Sequence, residues 1–186
     1  MKDSPIFVAN LIKELQEVDT VWAPLTQSTV AGFQSHPDEN LFDISSNKIQ
    51  QLKRLILEEL NIYYSKFEHQ SCDYIQKWPS EKNLNGWHIV LKHHGYQDNH
   101  IHPSGWLSGV IYLKTVPSLG KNEGAIEFSL NSRNYFSKKC PKLIFEPKVG
   151  DIVFFPSSLH HRTIPFKTDT DRIIVSFDLA PEQIRT

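Results

Sequence analysis

Apolar positions change their texture near the middle of this chain. Ahead of Trp87 they recur at three- and four-residue steps, the spacing of one helix face; beyond it they alternate in short runs, the spacing of strands. Residues 1 to about 20 read as a short amphipathic helix on Phe7, Leu11, Ile12 and Leu15, and Pro24 ends any regular element. Thr26 to Asp43 is polar and carries Gly32, Pro37 and Asn40, which predicts a loop with a short extended piece. The clearest helix is Asn47 to Phe67. Ser45 or Ser46 can cap its start, and Ile49, Leu52, Ile56, Leu60, Tyr63 and Phe67 form one stripe that needs a sheet or second helix to cover.

Trp87, Ile89 and Leu91 alternate with His88, Val90 and Lys92, predicting a strand, with a turn over Gly95 to Asn99. Further strands are predicted at Leu107 to Lys114, Ala125 to Leu130, Asp151 to Phe155, His160 to Phe166 and Arg172 to Leu179. Pro117 to Gly124 reads as a loop, and a basic stretch leading to Pro147 reads as irregular. Regular short strands after an early helix predict a mainly β domain, a sandwich or barrel buttressed by helices. The 186 residues suit one domain, with 1–86 as helical and loop support and 87–180 as the β core.

Charge and cysteine content narrow the functions. A net charge of -1 gives no electrostatic case for nucleic acid or an anionic membrane. No apolar run is long enough to span a bilayer and the N-terminus lacks a signal peptide's plan, so the expected location is cytoplasmic. Cys72 and Cys140 are too few and too far apart for a disulfide framework and read as reduced thiols.

The candidate chemistry lies in Asn99-His100-Ile101-His102-Pro103-Ser104-Gly105-Trp106. In an extended chain His100 and His102 share a face and can aim two imidazoles at one point. A third ligand is available at His160 or His161; as neighbours on a strand they face opposite ways, so only one can join. Histidines 36, 69, 88, 93 and 94 read as surface or structural. Trp106 suits either a pocket wall or the core, and Gly105 and Gly109 suit turns and close packing.

Together these motifs resemble the iron(II)/2-oxoglutarate-dependent dioxygenases, and within them the small oxygenases related to the prolyl hydroxylase-like branch. The resemblance rests on His-x-His before Gly109-Val110-Ile111-Tyr112-Leu113, a Pro-x-x-Gly-Asp-Ile-Val-Phe-Phe-Pro turn from Pro147 to Pro156, His161-x-x-x-Pro165, and Arg172 on the last strand. It covers about Trp87 to Leu179. It implies a double-stranded β-helix, the cupin-like jelly roll, with iron(II) held by His100, His102 and His161. It also implies Arg172 on the far carboxylate of 2-oxoglutarate, with Ser176 and Tyr112 as further hydrogen-bonding groups. The reaction implied is hydroxylation by dioxygen, with 2-oxoglutarate converted to succinate and carbon dioxide. The substrate would be a small molecule or a protein side chain.

One position departs from the family's commonest pattern. Most members place Asp or Glu where His102 stands, giving two histidines and a carboxylate on non-haem iron. Asp98 is the alternative source of a carboxylate. A cupin-type three-histidine enzyme that does not use 2-oxoglutarate is the competing expectation. The Glu that cupins carry soon after His-x-His is absent, Gly105, Trp106 and Leu107 standing there.

Overall fold

The computed structural model describes residues 5–117, 119–132 and 134–181. Thirteen elements follow in order: helix α1 (Pro5–Leu15), strands β1 (Thr20–Trp22) and β2 (Thr29–Ser35), a 3-10 turn (Leu41–Asp43), helices α2 (Asn47–Phe67) and α3 (Asp73–Gln76), then strands β3 (Leu84–Gln97), β4 (Leu107–Lys114), β5 (Ile126–Ser129), β6 (Lys142–Phe145), β7 (Ile152–Pro156), β8 (His160–Thr163) and β9 (Arg172–Leu179).

All strand pairings are antiparallel. One sheet has the order β1-β2-β3-β9-β4-β7 and the other β6-β5-β8. Ile126 and Phe128 of the small sheet share an apolar interior with Ile89, Leu91, Val110, Tyr112 and Ile174 of the large one. Two facing sheets with this interior form the double-stranded β-helix.

The large sheet is covered on its other face by helices. Ile49, Leu52, Ile56 and Leu60 of α2 and Leu11 of α1 pack with Leu107, Ile111, Val175, Phe177 and Leu179. Strands β4 and β9 are therefore buried on both faces, which explains why apolar residues occupy both phases of their sequences. Gly109 has a specific job there: a Cβ at that position would run into the ring of Phe177, its cross-strand partner. Ser46 caps α2, accepting from Ile49 N–H, and Phe67 at the far end of the stripe is 40% exposed.

The predicted bounds of α2, β4 and β9 hold. Three other expectations are corrected. The predicted turn over Gly95 to Asn99 is largely strand: β3 runs on to Gln97 through a left-handed His94 (φ 59°), because Thr29 and Val30 of β2 pair with Gln97 and Tyr96. The basic stretch before Pro147 contains β6, which pairs with β5 and leaves all four of its residues exposed. The strand from His160 ends at Thr163 rather than Phe166. The extended piece expected between Thr26 and Asp43 is the seven-residue β2, a full member of the large sheet. Cys72 and Cys140 are free. Among the described residues no helix is long and apolar enough to cross a membrane.

Candidate metal centre

Backbone pairing brings the three histidines together. His100 N–H donates to His161 O at 3.1 Å and His161 N–H to His100 O at 3.0 Å, an isolated antiparallel bridge between the β3–β4 loop and β8. Paired residues on antiparallel strands point to the same side, and His102, two residues on, joins them. The same loop is tied down by His102 N–H to Ser157 O (2.9 Å) and Trp106 N–H to Leu179 O (2.8 Å). The backbone that carries the three histidines is thus fixed by the two sheets.

The side chains are oriented just as closely. Each ring presents its Nδ1 to an oxygen: His100 to Asp98 O at 2.6 Å, His161 to Leu159 O at 3.0 Å, and His102 to Asp178 Oδ1 at 2.7 Å. A proton held on Nδ1 leaves the lone pair on Nε2. One ligand nitrogen from each ring lies within 4.8 Å of the others, and His100 Nε2 and His102 Nε2 are 3.1 Å apart. Two nitrogens about 2.1 Å from one cation and at right angles would stand about 3.0 Å apart. The donor set fits a divalent metal that favours imidazole.

Burial keeps His100 and His161 neutral. It pushes His100 down to about 4, and the neighbouring His102 adds to the fall. It pushes His161 down to about 2, with His100 and His102 contributing in turn. Both rings are therefore unprotonated and ready to donate to a cation at neutral pH.

Of the two histidines on β8, His161 is the one that faces this point. Arg162 faces the other way and grips the buried Glu127 through Nε (2.9 Å) and Nη2 (3.2 Å); His160, two residues from it, shares that outer face. Asp98 contributes its backbone carbonyl, and its carboxylate accepts from Asn99 N–H instead.

The interior face of β9 carries Arg172, Ile174, Ser176 and Asp178 at alternate positions, and that of β4 carries Ser108, Val110 and Tyr112. Arg172 is 1% exposed, so it is no surface partner of Asp171, which pairs with Lys92. Its Nε donates to Gly124 O at 3.2 Å, and its guanidinium lies 5.1 Å from the centroid of the Tyr112 ring. Arg172 Nη1 and Tyr112 Oη are both buried without completing a hydrogen bond. Burial pushes Tyr112 up to about 12, the Arg172 charge partly opposing it. A buried cation beside a buried hydroxyl fits the carboxylate end of a 2-oxo acid.

A cavity of about 410 Å³ opens beside His100 and His102. Its wall includes Gln27, Ser28, Gln34, His36 and Glu39 from the segment around β2, with Asn85 and Trp87 of β3. The sequence pattern alone marks that segment as support and His36 as surface or structural, and it does not single out Ser108 or Asp178. Their signal was a polar residue on each of two mainly apolar strands, in the same two-residue phase as Tyr112, Ser176 and Arg172. Trp106 belongs to the helix side: it stacks on Tyr74 at 5.6 Å and donates to Tyr74 O.

Comparison with known proteins agrees with this geometry. Residues 85–178 match the family model described as "Putative 2OG-Fe(II) oxygenase". The chain belongs to this family and is an iron(II)- and 2-oxoglutarate-dependent oxygenase, using dioxygen. Among solved structures it is similar to a Pseudomonas putida prolyl-4-hydroxylase (13% identity, 95% of this chain and 86% of that one, TM-score 0.61). It is also similar to HygX from Streptomyces hygroscopicus, solved with nickel, 2-oxoglutarate and hygromycin B (12% identity, 97% and 80%, TM-score 0.62). A third is a Trichoplax adhaerens prolyl hydroxylase in complex with a hypoxia inducible factor peptide (12% identity, 95% and 76%, TM-score 0.61). These likenesses show the double-stranded β-helix. No curated protein matches the sequence significantly.

Proposed function

We propose that His100, His102 and His161 hold the iron, that Arg172 and Tyr112 receive the far carboxylate of 2-oxoglutarate with Ser176 on the same wall, and that the substrate enters by the cavity beside β2. The observation that carries this reading is the convergence of three Nδ1-anchored imidazoles on one point. The metal and 2-oxoglutarate, when bound, supply the chemistry that hydroxylates a C–H bond while 2-oxoglutarate becomes succinate and carbon dioxide. The chain's own residues bind, orient and exclude. The guanidinium offers a planar fork to a carboxylate in a site away from water, where a charge-assisted pair is strongest. A buried cation of this kind has no use in a cupin that ignores 2-oxoglutarate, which argues against that competing reading.

The cavity supports a polar substrate. Its described wall is rich in amides and hydroxyls and holds Glu39 and Asp178 but no Lys or Arg. Such a wall suits an uncharged or amine-bearing molecule or side chain and offers a phosphate no Lys or Arg. Relatives are compatible with either size of substrate, since one was solved with hygromycin B and another with a peptide.

The test is anaerobic addition of iron(II) and then 2-oxoglutarate to metal-free protein, watching for the visible charge-transfer band of the chelate. The band should form in the wild type and be lost in His161→Ala. Tight metal binding with no band would overturn the 2-oxoglutarate assignment.

A further inference from the structure

The centre lacks the carboxylate that most of its relatives give the metal directly, yet a carboxylate stands immediately behind the residue that replaces it. Asp178 Oδ1 takes His102 Nδ1 at 2.7 Å, and Ser108 Oγ donates to the same oxygen at 2.6 Å. Ser108 Oγ also lies 2.9 Å from His102 Nδ1 and 2.8 Å from Ser157 Oγ. All of these groups are buried: Ser108 is 0%, Ser157 1%, Asp178 9% and His102 9% exposed. The other two ligands lean on neutral backbone carbonyls, so His102 alone has a charged partner.

We propose that Asp178 is a positioning residue of the metal centre, locking His102 with Nε2 toward the metal and returning, one bond network removed, the negative charge that a directly bound carboxylate would bring. The register makes this arrangement specific. Ser108 and Asp178 are cross-strand partners on β4 and β9, so the hydroxyl is held against the carboxylate by the centre of the large sheet. His102 reaches them from the ligand loop. A carboxylate hydrogen-bonded to a metal-bound imidazole raises its basicity and fixes its tautomer. Ser108 fixes the carboxylate in turn.

The proposal rests on the three-histidine reading, so the experiment includes a control on that reading. Metal-free wild type, Asp178→Asn, Asp178→Glu, Ser108→Ala and His161→Ala are titrated anaerobically with iron(II), and the melting curve of each metal-free protein is recorded. Asparagine keeps the shape and can still accept from Nδ1–H, so it removes charge with little else. Asp178→Asn should lose about 10- to 100-fold in iron(II) affinity with its metal-free melting curve unchanged. Its chelate band with 2-oxoglutarate should move to shorter wavelength, because a less electron-rich imidazole lowers the metal's donor orbitals. Asp178→Glu should recover part of the affinity, and Ser108→Ala should lose less than Asp178→Asn. Wild-type affinity and an unmoved band in Asp178→Asn overturn the proposal. Should Asp178→Asn not fold, unchanged affinity and band in Ser108→Ala overturn it. Iron(II) binding indifferent to His161→Ala would instead overturn the metal-site reading beneath it.

Discussion

At the scale of the residue, the site's chemistry depends on polar groups placed where burial makes them costly to leave idle. Arg172 is the sharpest case. A buried guanidinium with one nitrogen unpartnered is an electrostatic burden on the protein without 2-oxoglutarate. Arg172→Met fills similar volume without the charge, so it should melt no lower than wild type in the absence of 2-oxoglutarate. Its 2-oxoglutarate affinity in the presence of iron(II) should fall by about 2–5 kcal/mol, the cost of removing one partner of a buried charge pair. Calorimetry and thermal unfolding of both proteins check the two halves; a variant destabilised without 2-oxoglutarate would make Arg172 a structural group. His88 gives a second prediction away from the metal. It is 2% exposed, its Nδ1 lacks a partner, and burial pushes it down to about 4. The unfolded chain takes up a proton below about 6.5 that the folded chain refuses until about 4. The stability this neutral ring contributes is therefore present above about 6.5 and lost as pH falls toward 4, by about 2 kcal/mol at pH near 5. Denaturant unfolding of metal-free His88→Leu should show a shallower loss on acidification than wild type.

At the scale of the element, the legible parts were those whose surroundings impose a period. Helix α2 has one buried stripe, Ile49, Leu52, Ile56 and Leu60, and its polar remainder faces water, so the pattern and the Ser46 cap marked both ends. Strands β4 and β9 are buried on both faces and stood out as mainly apolar runs, broken where Ser108, Arg172, Ser176 and Asp178 point to the interior. Strand β6 has no buried face and hence no period to read; it exists through pairing with β5 and the Lys142–Glu127 ion pair at 3.1 Å. The end of β3 was hidden for another reason. Gly95 and the left-handed His94 look like turn residues, and here they form an irregularity inside a strand that β2 continues to pair. Strand β2 was obscured because Gln34 and Ser35 are buried polar residues, at 4% and 2% exposure, serving the cavity and β3 rather than an apolar core. The helix layer supports the sheet from the side away from the histidines, which separates folding from chemistry. Ile56→Ala should cost about 2–5 kcal/mol of stability and leave iron(II) affinity unchanged. Urea unfolding alongside metal titration would reveal any coupling.

At the scale of the whole molecule, the metal centre joins parts that the chain keeps far apart in sequence. That His100, His102 and His161 meet at one point was legible, because His100 and His102 announce a shared face and His161 has its proline spacing. Asp178 and the cavity wall were not, since nothing local says that β9 ends beside the ligand loop or that β2 folds across it. Those contacts come from sheet order, with β3 and β4 flanking β9. The same order decides how a metal acts on stability. His100 and His102 lie in the loop between two strands of the large sheet, and His161 lies on the small one, joined to His100 by a backbone bridge. An ion bound to all three ties the two sheets at their open end. Since binding to the folded state alone adds about 2.7 kcal/mol at a hundredfold excess over Kd, iron(II) should raise the melting temperature and a chelator should reverse it. The protection should be uneven. Hydrogen exchange should slow most at the amides of the 98–106 loop, β8 and β5, and least in α1 and α2, which the helix-side core already holds. Uniform slowing through α2 would mean that the metal stabilises the chain globally without bridging the sheets. Slowing confined to the 98–106 loop, with β8 unaffected, would remove His161 from the ligand set.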